Sequence, residues 1–377
     1  MGWALPRDVN WRIAALWLAL AATCSAGWLF KGHCVPGGWT DAEQYTTGCY
    51  NDVMPFWHGR EVADGKVPYI QTRMEYPVLT GAQIWVEGSV TRLLFGKRAR
   101  DWHFLGVVVV ANALLAALVM KWLLLAGMDE RRLWGWALAP PLILYVGHNW
   151  DMAATALAVG AVLLARSGRL APAAAVAGLG TAAKLFPVLA LPLIGLAALF
   201  GDARPWPQRL LRAAGLSAAA IGAWAVVNVP VALLAPDNWS EFYRFSQERQ
   251  GTAAATWDVL ANMGWWFTWI AERNRYAAIA FVTGFALIVV GLGTAGQIAT
   301  VQFEYFTEEM SLFPRWPLFD SERMINLFLV AMAIAAERLF YLYFRGALAP
   351  GPFFAEVQRR VLAGRIDSAL AYCASAP

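Results

Sequence analysis

Side chains that could carry acid–base chemistry are concentrated in the polar segment that follows the first apolar run of the chain. Asp52 lies there, directly after Cys49, Tyr50 and Asn51 and shortly before Trp57. Glycosyl transfer to a hydroxyl needs a carboxylate that takes the acceptor proton while the leaving group departs. A carboxylate flanked by aromatic rings is also suitably placed to bind a sugar. We therefore predict that Asp52 is a general base, with an ordinary solvated acid as the alternative. The other acids of the segment are Asp41, Glu43 and Glu75.

The segment ends with Glu75-Tyr76-Pro77. The proline restricts Tyr76 to an extended backbone and is tolerated at the first turn of a following helix. A direct contact between Tyr76 and substrate and a plain helix-start signal are therefore both open. Substrate-binding roles in this segment are predicted for Tyr50, Trp57, Arg60 and Tyr76.

Two more candidates lie at the edges of apolar runs. Asp151, in Asn149-Trp150-Asp151, is either a helix cap or a second acid that organises Lys184. Lys184 falls between two apolar runs, where a lysine is costly and usually functional. Its ammonium could bind a phosphate anion and stabilise the departing charge, and a structural lysine that reaches back to water is the alternative.

Arg244 and Arg249 belong to a later polar segment, and either could clamp a phosphate through two hydrogen bonds or form a surface charge pair. No motif that cradles a nucleotide is present, which favours a lipid-phosphate sugar donor over a nucleotide sugar. No zinc-type Cys/His spacing and no clear pair of aspartates for a divalent cation occur. The sequence thus predicts neither a metal nor a cofactor.

Two of the four cysteines, Cys34 and Cys49, fall in the same polar segment as Asp52. If this segment faces an oxidising compartment, a disulfide between them is favoured and would fix the start of the segment near Asp52. Two free thiols are the alternative.

The composition predicts a polytopic membrane protein of eight to ten spanning or re-entrant helices. Hydrophobic residues make up 59% and charged residues 15%, against about 25% charged in soluble domains. The net charge of +4 comes from short loops and speaks to topology rather than to nucleic acid. The apolar runs are 11–30, 77–95, 104–120, 133–146, 152–165, 170–183, 185–200, 213–236, 276–301 and 325–344.

Basic residues in the short loops predict a cytoplasmic N-terminus and a large first extracytoplasmic loop. The charge pattern is consistent if residues 77–95 lie in the interface or re-enter instead of crossing. Asp52, Tyr76, 149–151, 184–187 and 238–275 then share the outer side. Runs 133–146, 152–165 and 170–183 cover only about 21 Å each at 1.5 Å per residue, short of a hydrocarbon core of roughly 30 Å. This predicts a groove through which a lipid-linked substrate could enter.

The order of the motifs resembles glycosyltransferase family 87, within the GT-C superfamily of polyprenol-phosphate-sugar-dependent transferases. The similarity covers about residues 10–300, and Asp52 matches the position of the family's catalytic acid in the first outer loop. It implies a GT-C-like bundle in the bacterial inner (plasma) membrane and inverting transfer, with mannose the leading sugar, to a lipid or cell-envelope glycan. The matching motifs are Cys49-Tyr50-Asn51-Asp52, Pro68-Tyr69, Glu75-Tyr76-Pro77, Asn149-Trp150-Asp151, Lys184-Leu185-Phe186-Pro187, Asn228-Val229-Pro230 and Phe242-Tyr243-Arg244-Phe245.

The tail departs from that pattern. Residues 325–377, including Glu337-Arg338-Leu339, resemble the N-terminal part of the TolQ/ExbB proton-channel family. We therefore divide the chain into a transferase module (1–301), a linker (302–324) and this tail, which would be a fusion or a truncated piece. Two rival functions stay open: a lipid or solute transporter, and a structural partner of a proton-driven envelope complex.

Overall fold

The computed structural model describes residues 7–35, 43–201, 204–248 and 275–286, the last range without 277 and 285. Within these ranges the chain is all-α and has no β-strand, which confirms that part of the predicted fold class. The helices are α1 (Arg7–Gly32), α2 (Glu43–Thr46), α3 (Val53–Gly59), α4 (Val78–Phe95), α5 (Asp101–Leu125), α6 (Glu130–Ala137), α7 (Pro140–Tyr145), α8 (Asp151–Arg166), α9 (Leu170–Thr181), α10 (Ala190–Phe200), α11 (Trp206–Leu234) and α12 (Pro236–Glu248).

Three of these helices are long and apolar enough to cross a membrane: Trp11–Gly32, Asp101–Leu125 and Trp206–Leu234. At about 1.5 Å per residue each reaches the roughly 30 Å of a hydrocarbon core. They also expose large apolar side chains, as a lipid-facing helix does. The predicted total of eight to ten membrane helices and the GT-C-like bundle stay predictions.

The predicted run 133–146 is not a single helix, which corrects the expectation from hydropathy. α6 ends at Ala137 and α7 begins at Pro140. Pro140 and Pro141 lack the backbone N–H that a continuous helix needs, and proline pushes the preceding residue out of the helical region. Run 185–200 likewise starts with a 3-10 turn, Phe186–Leu189, before α10.

α4 packs along the polar segment that precedes it, whose described part, residues 43–77, we name the loop. Near its first turn, Gly81 packs so closely on the ring of Tyr69 that any side chain there would collide with it. Trp85 Nε1 donates to the carbonyl of Gly65 at 3.3 Å, and the Arg92 guanidinium donates to the carbonyl of Val62. Whether α4 lies in the membrane interface, as the charge pattern predicts for residues 77–95, stays a prediction.

The buried side chains form two clusters. The first joins α1, the loop and helices α3 to α8, and Phe104 and Trp150 are its largest fully buried side chains. The second joins α8, α9, α10 and α11 through small residues such as Ala173 and Ala177. Gly178 lets α9 approach α11 until it touches the Ala220 backbone, the close contact that small residues permit between membrane helices.

The start of α4 is joined to the end of α9 by two hydrogen bonds. Leu79 N–H donates to the carbonyl of Ala182 at 3.0 Å, and Thr80 Oγ1 donates to that of Ala183 at 2.7 Å. The first N–H groups of a helix have no partner within it, and here the Leu79 N–H finds its acceptor in the carbonyl of Ala182. This contact brings Lys184 beside the Glu75-Tyr76-Pro77 segment.

Polar contacts hold both ends of α1 against the rest of the protein. Lys31, at the end of α1, donates to the loop carbonyls of Gly48 and Tyr50. At the opposite end, Arg12 of α1 pairs with Glu130 of α6 at 3.0 Å. Most of the predicted span 276–301, the linker 302–324 and the tail 325–377 lie outside the described residues.

Candidate active site

Asp52 is held by two tyrosine hydroxyls. Tyr50 OH donates to Oδ1 at 2.8 Å and Tyr76 OH donates to Oδ2 at 2.7 Å. The Asp52 backbone N–H donates to the carbonyl of His148 at 2.8 Å. A carboxylate has about four acceptor sites, so one donor on each oxygen leaves it able to accept a further proton.

The local fold keeps this carboxylate out of helix capping. Asp52 precedes α3, but its side chain makes no capping hydrogen bond. Asn51 does this instead: its Oδ1 accepts from the Met54 N–H at 2.9 Å, and its side chain is fully buried. The cap therefore orients the chain so that Asp52 points to the tyrosines.

Lys184 and Asp151 form an ion pair near the ring of Tyr76. The Lys184 ammonium bonds to Asp151 Oδ1 and lies 5.9 Å from the centre of the Tyr76 ring. Asn149 Nδ2 donates to Asp151 Oδ2 at 3.1 Å, and the Asp151 N–H donates back to Asn149 Oδ1. The structure thus places Asp151 as a partner of Lys184. About a third of each charged side chain is exposed, so solutes can reach the pair.

Tyr76 links the two charged groups. Burial, followed by the charge of Asp52 and the hydrogen bond to it, raises the pKa of Tyr76 far above its ordinary value. The phenol therefore stays protonated and acts as a hydrogen-bond donor at any physiological pH. Asp52, Tyr76, Asp151 and Lys184, which we name the Tyr76 cluster, come from four separate parts of the sequence.

An aromatic wall that the sequence did not predict supports this cluster. The rings of Phe56 and Trp150 lie 5.6 and 5.3 Å from that of Tyr76, both edge-to-face. Trp57, which we predicted to bind substrate, is instead 2% exposed and packs on Phe104 in the core. Residues one position apart on a helix point in different directions, and the orientation of α3 cannot be derived from so short a segment.

Arg60 is engaged within the loop. It binds Glu75 through two hydrogen bonds of 2.5 and 2.6 Å, in the forked geometry that guanidinium and carboxylate favour. Its guanidinium also lies 5.4 Å from the ring of Phe56. Because Glu75 directly precedes Tyr76, this pair fixes the end of the loop; a substrate contact for Arg60 stays a prediction.

Arg244 makes its hydrogen bonds within α12 and not to the Tyr76 cluster. Arg244 donates to the Asp237 carbonyl at 2.7 Å and to Glu241 at 3.1 Å, both within α12. The buried Glu241 also pairs with Arg73 of the loop, so α12 is docked on the loop. Arg249 lies outside the described residues.

Cys34 and Cys49 are joined by a disulfide with an S–S distance of 2.03 Å. Beside it, the buried Lys31 ammonium donates to the carbonyls of Gly48 and Tyr50 at 3.0 and 2.8 Å. His33 lies close to both sulfur atoms. Because the sulfurs are bonded to each other, they are not available as thiolate ligands for a metal.

Reduction of this disulfide is expected to lower the free energy of unfolding by roughly 3 kcal/mol, because it closes a loop of about 15 residues. Cys34→Ser should show the same loss without reductant. The measurement is thermal unfolding in detergent with and without reductant. Cys24→Ala, which changes a free and buried cysteine of α1, is the control and should keep the full response to reductant. Equal stability of the oxidised and reduced forms would contradict the prediction.

His148 contacts the backbone of Tyr50. Its Nδ1 lies 3.1 Å from the Tyr50 carbonyl, and the two rings are 5.6 Å apart. Burial, and then the nearby charge of Lys31, lower the pKa of His148 below its ordinary value. The folded protein therefore holds a neutral imidazole that the unfolded chain would protonate in mild acid.

Folding stability should consequently fall as the pH drops below about 6.5, at most by about 1.4 kcal/mol per pH unit for this one group. His148 contributes its full effect above that pH and loses it as the pH falls towards the lowered value. His148→Asn, which retains a donor for Tyr50, should remove this part of the pH dependence. Unfolding at pH 7.5, 6.5 and 5.5 measures it, with the exposed His58→Gln as control. Identical profiles for wild type and His148→Asn would refute the assignment.

Comparison with known proteins gives a local likeness. A 48-residue segment is 46% identical to glucans biosynthesis glucosyltransferase H of Shewanella sp. (strain ANA-3), and the same holds for that of Shewanella oneidensis. The segment is 13% of this chain and only 7% of each relative, so the chain covers a small part of their length. No family model and no solved structure matches the chain.

Proposed function

We propose that this chain is a membrane glycosyltransferase that uses a polyprenyl-phosphate sugar on the extracytoplasmic face. The acceptor is a lipid or a cell-envelope glycan, and mannose is the sugar we propose first, on the resemblance to family 87. The local similarity to a glucosyltransferase supports sugar transfer, with glucose as the second sugar to test. The protein's surroundings would be a bacterial inner membrane, with membrane lipid around the exposed apolar helices.

The observation that carries the proposal is that a carboxylate and an ammonium group meet at Tyr76: Asp52 accepts from its hydroxyl, and Lys184 lies 5.9 Å from the centre of its ring. Asp52 would take the proton of the acceptor hydroxyl as that oxygen attacks the anomeric carbon. The bond between the anomeric carbon and the phosphate oxygen breaks, and polyprenyl phosphate leaves with the electron pair. Lys184 would stabilise the charge on that phosphate, with Asp151 holding the ammonium in place before the donor binds. Attack opposite to the leaving group gives inversion.

The test is sugar transfer by membranes that contain the full chain. Radiolabelled polyprenyl-phosphate mannose, glucose and arabinose are supplied separately, with UDP-glucose and GDP-mannose as competing donor classes. Membranes from cells without the chain are the control. Label should move from one lipid-phosphate donor into a lipid or glycan fraction.

Each other result contradicts a different part of the proposal. Transfer from a nucleotide sugar alone would retain the transferase and refute the donor class. If the protein is folded and inserted but transfers sugar from none of the donors, the proposal that it is a glycosyltransferase is refuted. Uptake assays in vesicles without any sugar donor would then test the transporter.

A further inference from the structure

The carboxyl group of Glu87, on α4, is buried and bonded to Trp150, which packs against Tyr76. Glu87 is only 5% exposed, although it is a charged residue type in a mostly apolar helix. Its Oε2 accepts from Trp150 Nε1 at 2.7 Å, and its Oε1 accepts from Gln83 Nε2 at 2.8 Å. Burial of a carboxyl group is costly unless each oxygen is hydrogen-bonded, and here each oxygen is.

Trp150 connects this carboxyl group to the cluster. Its indole is 1% exposed and touches the Tyr76 ring edge-to-face at 5.3 Å. It also contacts Phe56 and Phe104, so the ring is confined on several sides. A buried indole N–H needs a hydrogen-bond acceptor, and Glu87 supplies the one that sets the direction of this N–H.

We propose that Glu87 is a positioning residue for the proposed transfer: by orienting Trp150, it holds the Tyr76 hydroxyl on Asp52. The contacts run from Glu87 to Trp150, from Trp150 to Tyr76, and from Tyr76 to Asp52 at 2.7 Å. Glu87 touches neither Asp52 nor Lys184 through any of its hydrogen bonds, so it acts through the tryptophan. As a role in catalysis, this inference rests on the proposed function; as a statement about the Tyr76 hydroxyl, it does not.

The first test observes Tyr76 directly and needs no activity. Full-length protein is labelled with 3-fluorotyrosine, and the Tyr76 signal in the ¹⁹F spectrum is identified by its loss in Tyr76→Phe. Glu87→Leu, which removes the acceptor, should shift this signal in the direction seen for Asp52→Asn. Trp150→Phe keeps an aromatic ring but removes the donor, and it should shift the signal in the same way. Leu93→Ala, at an exposed position of α4, is the control and should not.

The second test uses turnover. Glu87→Leu should lower kcat by about 10-fold to 100-fold with KM within about twofold of wild type, as loss of a residue that supports a catalytic group does. Glu87→Gln, which retains an acceptor oxygen for the indole, should recover most of the rate. The double variant Glu87→Leu/Trp150→Phe should be no slower than Trp150→Phe, because both changes break the same contact.

The outcomes separate the two proposals. An unchanged Tyr76 signal in folded Trp150→Phe overturns the positioning role, and this result does not depend on whether Glu87→Leu folds. A shifted Tyr76 signal with no transfer from any donor in the wild type retains the geometric link and refutes the proposed function. Additive losses in the double variant also overturn the inference, because they would mean that Glu87 acts by another route.

Discussion

Asp52→Asn is expected to lower the rate of sugar transfer by about 10²-fold to 10⁴-fold, the range that loss of a general base produces. Asparagine has the shape of aspartate but cannot take the acceptor proton. Its amide oxygen can still accept from one of the two tyrosine hydroxyls, so the fold around Tyr50 and Tyr76 should persist. The measurement is initial rates with saturating donor, together with the unfolding temperature of both proteins.

Matched variants make this result specific. Asp64→Asn changes an exposed acid of the same loop and should transfer at the wild-type rate. Tyr50→Phe and Tyr76→Phe each remove one donor to Asp52 but retain the base, so each should lose less than Asp52→Asn. Wild-type turnover by Asp52→Asn would eliminate Asp52 as the base and leave Asp151 as the acid to test.

Gly178→Val is expected to lower the free energy of unfolding by roughly 3 kcal/mol, at the upper end of what overpacking costs. A Cβ at this position collides with the carbonyl oxygen of Ala220, which is backbone of α11 and cannot turn aside. α9 and α11 would have to separate, and the end of α9 carries the chain that leads to Lys184. Thermal unfolding in detergent measures the loss, and transfer by the surviving folded fraction should also fall.

Gly195→Ala is the matched control for this variant. Gly195 lies in α10, and no atom lies within 4 Å of a Cβ built there. Alanine favours the helical state over glycine by about 1 kcal/mol, so this change should leave stability equal or raise it. Comparable losses at both positions would mean that the α9–α11 contact is not what determines the stability.

The sequence predicted that the segments of Asp52 and Lys184 lie on the same side of the membrane, and in the structure both side chains lie at Tyr76. The contact of Glu87 could not be predicted: a lone glutamate in an apolar run gives no sign of its partner, Trp150, which is 63 residues away. Nor could the sequence show that Trp57 is buried in the core while its neighbour Phe56 contacts Tyr76. Which of two neighbouring aromatic residues faces a site depends on how α3 packs against α5, and that is decided by tertiary contacts.

Helix boundaries were predictable only where local chemistry decides them. The proline pair at 140–141 explains the break in the run 133–146 once seen, yet the hydropathy of the run is continuous.

The role of Arg60 was hidden for another reason: an arginine that binds substrate and one that binds Glu75 look the same in a sequence. Only the position of Glu75, 15 residues later, distinguishes them.

The bonds between the start of α4 and the end of α9 have a consequence for synthesis of the protein. Ala183 is 103 residues after Thr80, so at about 5–20 residues per second it leaves the ribosome roughly 5–20 s later. During that interval the early helices can insert and the Cys34–Cys49 bond can form, while the Leu79 N–H and the Thr80 hydroxyl at the start of α4 still lack their acceptors. Asp52 is therefore synthesised several seconds before Lys184. During this time chaperones or the insertion machinery would encounter a chain in which the Tyr76 cluster is incomplete.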